Sequence, residues 1–164
     1  YNEDINTYEF VRDVTIDTDF SLLFPDDYIN NITERLSLYT ELNALKNEAD
    51  LQRFERDLLD RFGALPTQVV DLLDSVRIKW LATTLGFEKI AMKNHKLVGY
   101  FISDQESRFY QSIHFSKVLQ YVQAHPQACT VKEKQMRMGL RLIMSFSNIN
   151  SVQQGLDALK PILV

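Results

Sequence analysis

At 164 residues, 45% of them apolar and 24% charged, the chain is too apolar for intrinsic disorder and long enough to bury roughly 70% of its unfolded surface. A net charge of −4 and a pI near 5.4 argue against a general nucleic-acid footprint, which needs basic surface to release counterions from phosphates, and leave room only for local basic patches. Cys129, the one cysteine, excludes an intrachain disulfide and is compatible with a reducing compartment.

In chain order, residues 1–13 are polar and acidic with no periodic face, and read as a linker or arm next to an upstream domain. The chain starts at Tyr1 rather than Met, which points to a piece of a longer polypeptide, and no signal peptide or membrane span is visible in it. Asp13 to Asp19 alternates apolar and polar residues, the pattern of a short strand with one wet face.

Three amphipathic helices are predicted between Phe24 and Leu85. The first opens at Pro25, with Asp26 and Asp27 complementing the N-terminal dipole, and runs to about Asn47; Ile29, Ile32, Leu36, Tyr39 and Leu42 line its inner face. Paired carboxylates also suit metal or acid–base chemistry, but charge at a helix start is their ordinary explanation. The second helix takes Asp50 as its N-cap and ends at Gly63, with Leu51, Phe54, Leu58 and Phe62 inward. The third runs from Pro66 to Leu85, stops at Gly86, and stacks Val69, Leu73, Val76 and Trp80 on one core stripe.

From Phe87 the period changes. Phe87 to Met92 and Leu97 to Ile102 read as strands joined by a hairpin at residues 93–96. A turn at residues 103–107 leads to a third strand from Arg108 to Phe115, after which Ser116 caps a helix that ends before Pro126. Two further strands, Cys129 to Lys134 and Met138 to Phe146, flank a turn near Gln135. Ser151 and Gln154 have capping-box spacing at the head of a last helix carrying Val152, Leu156, Leu159 and Leu163. The expected fold is α+β: an N-terminal three-helix unit packed with a mostly antiparallel sheet and two further helices. Residues 14–164 are expected to form a single domain, with a helical half over 24–86 and a sheet-rich half over 87–164.

Chemistry is sparse. His95, His114 and His125 have no second ligand at metal-binding spacing, and Cys129 opens a strand as a small apolar group rather than a nucleophile. Five glycines and no phosphate-cradling motif argue against nucleotide hydrolysis within these residues. Arg77, Lys79 and Trp80 could stack on and neutralise a single strand, although Trp80 belongs to the apolar stripe. Lys132, Lys134, Arg137 and Arg141 form the other basic cluster, on alternating strand positions and their turn.

Three blocks, Pro25-Asp26-Asp27-Tyr28-Ile29, Arg35-Leu36-Ser37-Leu38-Tyr39 and Asp60-Arg61-Phe62-Gly63-Ala64-Leu65-Pro66, are followed by Leu-Gly-Phe-Glu-Lys-Ile at 85–90. In order and spacing they resemble the C-terminal domain of the bacterial transcription-repair coupling factor. In that family the whole protein is an ATP-driven duplex-DNA translocase that displaces stalled RNA polymerase and recruits the excision-repair protein UvrA. The resemblance implies a non-catalytic regulatory domain that packs against the N-terminal UvrA-binding module and masks it. It implies no cofactor in these residues, ATP and Mg being held by the motor domains, no membrane contact, and a bacterial cytoplasmic location.

Such a clamp needs a reversible polar contact. The outward face of the second helix, at Asp57, Asp60 and Arg61, is the expected partner-binding surface, because Leu51, Phe54 and Leu58 must point inward. A purely structural role for Asp60 and Arg61, capping and ion-pairing the corner, accounts for them equally well. The alternative is an accessory DNA-binding annex using Lys132, Lys134, Arg137 and Arg141.

Overall fold

The computed structural model describes residues 10–164, so most of the expected arm at 1–13 lies outside the described residues. The described chain divides into two compact units, one from Ser21 to Arg77 and one that holds Ile78 to Val164 together with residues 10–20. Its fold is α+β, with five α-helices and a five-stranded mixed sheet among the described residues.

The helical unit contains α1 (Ile32–Ala44), α2 (Glu48–Phe62) and the first part of α3 (Thr67–Leu85). The first helix starts later than the sequence predicts. Pro25 opens a separate turn in which the Tyr28 and Ile29 amides donate to its carbonyl at 3.0 Å, and the cap of α1 is Asn31, whose side chain accepts from the Glu34 amide at 3.0 Å. Asp26 and Asp27 are therefore exposed in this turn, and Glu34 is the acid in the first helical turn.

The buried face of α1 is also rotated from the expected one. Leu38 and Leu42 are buried, whereas Ile32 and Leu36 are 64% and 60% exposed. Helix α2 is capped by Asn47, which accepts from the Asp50 amide at 2.9 Å, so Asp50 is a first-turn acid rather than the cap. Leu51, Phe54 and Leu58 are buried as expected, each contributing roughly 1.5–3 kcal/mol. Gly63, with φ +88°, ends the helix in a conformation that disfavours any Cβ.

The sheet unit has strand order β1-β2-β3-β5-β4, with β1 (Thr15–Thr18), β2 (Phe87–Lys93), β3 (Lys96–Phe101), β4 (Cys129–Met136) and β5 (Gly139–Ser147). Only β1 and β2 run parallel; the other neighbours are antiparallel. The β2–β3 hairpin turns through Asn94 and His95, both at positive φ as a tight primed turn requires. The β4–β5 turn falls at Arg137 and Met138 rather than near Gln135.

The third strand expected at Arg108 to Phe115 does not exist. Ser107 caps a 3₁₀ turn at Arg108–Gln111, and Ser112, not Ser116, caps α4 (Ile113–Ala124). The Phe109 and Phe115 rings pack 6.2 and 5.7 Å from Phe101. The last helix, α5 (Val152–Leu159), follows the predicted capping: Ser151 accepts from the Gln154 amide, and Gln154 accepts from the Asn150 amide.

Alternation gives the sheet two unlike faces. Ile90, Met92, Leu97, Phe101, Met144, Phe146 and Cys129 are buried on one. Helices lie against that face: a Cβ on Gly155 of α5 would stand 2.9 Å from the Met92 sulfur and 3.2 Å from Leu97. Trp80, expected in the core, is only half-buried.

Candidate functional site

The three distinctive blocks at 25–29, 35–39 and 60–66 meet in the helical unit. The Tyr28 hydroxyl donates to the Gly63 carbonyl at 2.8 Å and approaches the Leu58 carbonyl at 3.3 Å, and its ring lies 5.7 Å from Phe62. Burial pushes the Tyr28 phenol pKa up, which favours the protonated donor. The Arg35 guanidinium donates to the Ile29 carbonyl at 2.6 Å, and the Phe24 amide donates to the Tyr39 hydroxyl at 2.8 Å. The Tyr28, Arg35 and Tyr39 side chains thus satisfy backbone groups at Gly63, Ile29 and Phe24.

The predicted partner surface lies on the outside of this corner. Asp57, Asp60 and Arg61 are all exposed on α2. Arg61 pairs with Glu34 of α1, and its guanidinium carbon sits 4.8 Å from the Phe62 ring centroid. Among the described residues no hydrogen bond or ion pair engages Asp57 or Asp60. Asp60 is moreover in the last turn of α2, where the negative end of the macrodipole disfavours a carboxylate. Helix stability accounts for Arg61 at this position and not for Asp60.

Arg77 is not available to a single strand. It donates to Glu48 at 2.7 and 2.8 Å and to Asp74 at 2.8 Å, and these bonds hold it firmly protonated, with the Glu48 bond the larger cause. Sequence reading missed both Glu48 and Glu34 as partners. The Asp74–Arg77 spacing of three was the one visible signal.

In the sheet unit Lys132, Lys134 and Arg141 fall on one face, and Arg137 is in the hairpin turn. Arg141 is held within the fold: it donates to the Phe101 carbonyl at 3.0 Å and to Glu88 at 2.7 Å, and lies 5.6 Å from the Tyr100 centroid. Lys132 and Lys134 are exposed and have no ion-pair partner among the described residues. Sequence reading missed Lys89, which β-pairing sets opposite Tyr100, its ammonium 5.3 Å from the ring centroid.

His95 bonds Asn150 at 2.5 Å beside a cavity of about 270 Å³ lined also by Asp19, Phe20 and Asn94. Cys129 is buried, and burial raises its thiol pKa, which disfavours the thiolate. Among the described residues no three His, Cys, Asp or Glu side chains are grouped to hold a metal, and no helix is long and apolar enough to cross a membrane.

A sequence model of the TRCF domain matches residues 18–112. The chain is similar to the transcription-repair-coupling factors of Rickettsia bellii, at 27% identity over 85% of the chain, and of Escherichia coli K12, at 40% identity over 42% of it. It spans 12% of the length of the former and 6% of the latter. The fold is that seen in a crystal structure of the C-terminal domain of a transcription-repair coupling factor, with a TM-score of 0.65 and 17% identity over 92% of this chain and 94% of that one.

Proposed function

The chain belongs to the TRCF domain family, and from that membership we propose that it is a non-catalytic regulatory domain of a transcription-repair coupling factor, masking that protein's UvrA-binding module by interdomain contact. The protein of which it forms part would be a bacterial, cytoplasmic, ATP-dependent DNA translocase that displaces stalled RNA polymerase and recruits UvrA. ATP and Mg would be held by the motor segments of that protein.

One observation carries the assignment to the α2 corner. Asp57 and Asp60 stand exposed and unpartnered among the described residues, and Asp60 occupies a position that its own helix disfavours. A polar patch of this kind suits a contact that must open, since a mask is useful only if motor engagement can overcome its free energy. A dry apolar contact would hold too tightly and too permanently.

Removing residues 14–164 from the full-length protein is expected to raise its affinity for UvrA, by a factor within the about 5- to 150-fold range of ordinary site coupling. Unchanged affinity would refute masking. A second reading, an accessory nucleic-acid-binding annex, is favoured by the exposed, unpaired Lys132 and Lys134.

A further inference from the structure

The face of the sheet opposite the buried one gathers cations from four strands. Register and alternation place Lys89 and Lys93 of β2, Lys96 and Tyr100 of β3, Arg141 of β5, and Lys132 and Lys134 of β4 on it. Asp17, paired with Lys93 at 2.9 Å, Asp19, whose charge also acts on Lys93, and Glu88, paired with Arg141, are the acids there. Six cations against three acids, in a chain whose net charge is −4, means that positive charge is segregated onto this surface. The pI conceals it.

The layout matches a repeating anion. Lys132 and Lys134 lie two residues apart on one strand, about 6.6–6.8 Å, so an extended polyanion can meet successive ammonium groups. Lys96, Lys132 and Lys134 are exposed and have no ion-pair partner among the described residues. In the middle stands Tyr100, half-buried, between Lys89 and Arg141 at 5.3 and 5.6 Å from its ring centroid. Arg141 is fixed by Glu88 and the Phe101 carbonyl, which holds a guanidinium plane beside that ring.

An acidic peptide would satisfy the charges but has no use for the central aromatic. A duplex presents phosphates but keeps its base faces stacked inside. Only a single strand offers both phosphates and open π-faces.

We propose that the open face of the β-sheet binds single-stranded nucleic acid, its phosphates on Lys96, Lys132 and Lys134 and a base at the Lys89–Tyr100–Arg141 group. The proposal rests on the second reading above, contact with nucleic acid, and specifies the strand state and the stacking residue.

Fluorescence anisotropy of the chain with labelled oligothymidylate, oligouridylate, a duplex of equal length and polyglutamate, at several salt concentrations, tests it. The two single strands are expected to bind more tightly than the duplex, with a log–log salt slope of about −0.7 per phosphate contacted, and oligothymidylate against oligouridylate tells whether DNA or RNA is preferred. Lys132→Glu/Lys134→Glu is expected to abolish binding, and Tyr100→Leu to weaken single-strand binding by about tenfold or more, while Tyr100→Phe retains it. The lysines are exposed, so the double variant keeps its circular dichroism and loss of fold is not at issue. Equal duplex and single-strand binding, lost in the lysine variant but not in Tyr100→Leu, would overturn the single-strand assignment and leave the annex reading standing. No oligonucleotide binding at low salt, or equal binding of polyglutamate, would overturn both.

Discussion

In the helical unit the side chains that mark the sequence most strongly are occupied: Tyr28, Arg35 and Tyr39 are bonded to backbone groups at Gly63, Ile29 and Phe24. In the sheet unit Lys96, Lys132 and Lys134, which belong to no distinctive block, face solvent. The contrast separates two things that a motif-led reading joins. In the helical unit the bonded side chains of the blocks build the corner, and Asp57 and the third block's own Asp60 are left exposed and unpartnered among the described residues, as Lys96, Lys132 and Lys134 are in the sheet unit.

The largest expected effect tests the structural side of that contrast. Leu58 is 1% exposed in α2, so Leu58→Ala should cost about 2–5 kcal/mol of stability, read as a lower urea midpoint. Lys132→Ala should stay within about 0.5 kcal/mol.

Tyr28→Phe comes next. It removes the donor to Gly63 and should cost about 0.5–1.5 kcal/mol without changing UvrA affinity in the full-length protein. A marked change in affinity with full stability would mean that the motif itself contacts the partner.

The smallest effect is a pH dependence in the sheet unit. Tyr110 donates to the Ile102 carbonyl, and burial, with Glu88 adding to it, pushes its phenol pKa up to about 12. The folded pKa lies above the unfolded value near 10, so the unfolded chain loses this proton first as pH rises. The contribution is full below about pH 10 and declines toward pH 12. Urea midpoints measured across that window should fall less steeply for Tyr110→Phe than for the unaltered chain.

Much of the fold was legible because its signals are local. Gly63 and Gly86 end α2 and α3, Asn94 and His95 make the β2–β3 turn, and Ser151 with Gln154 starts α5. Errors arose where distant partners decide. Pro25 looks like a helix start, but the chain makes a turn there whose Tyr28 hydroxyl reaches Gly63, 35 residues away. Arg108 to Phe115 reads as a strand, yet Ser107 and Ser112 cap helical turns and the rings join Phe101 in one cluster.

The candidate site divides in the same way. The outward placement of Asp57, Asp60 and Arg61 follows from helical periodicity around Leu51, Phe54 and Leu58. The pairing of Arg61 with Glu34 and of Arg141 with Glu88 spans 27 and 53 residues and could not be read from either segment alone. Lys132 and Lys134 were visible by alternation, but Lys89 and Tyr100 joined them only through strand pairing.

The mask proposed for the outer face of α2 rests on Asp57 and on Asp60, the exposed acid of the third block, and not on the bonded Tyr28 beneath them. Its most direct test is the affinity of the full-length protein for UvrA with Asp57→Lys and Asp60→Lys introduced together, alongside Tyr28→Phe. The account predicts that charge reversal releases the mask and tightens UvrA binding by about 5-fold or more, while Tyr28→Phe leaves it unchanged. Unaltered UvrA affinity in a charge-reversed protein that unfolds at the usual urea midpoint would contradict it.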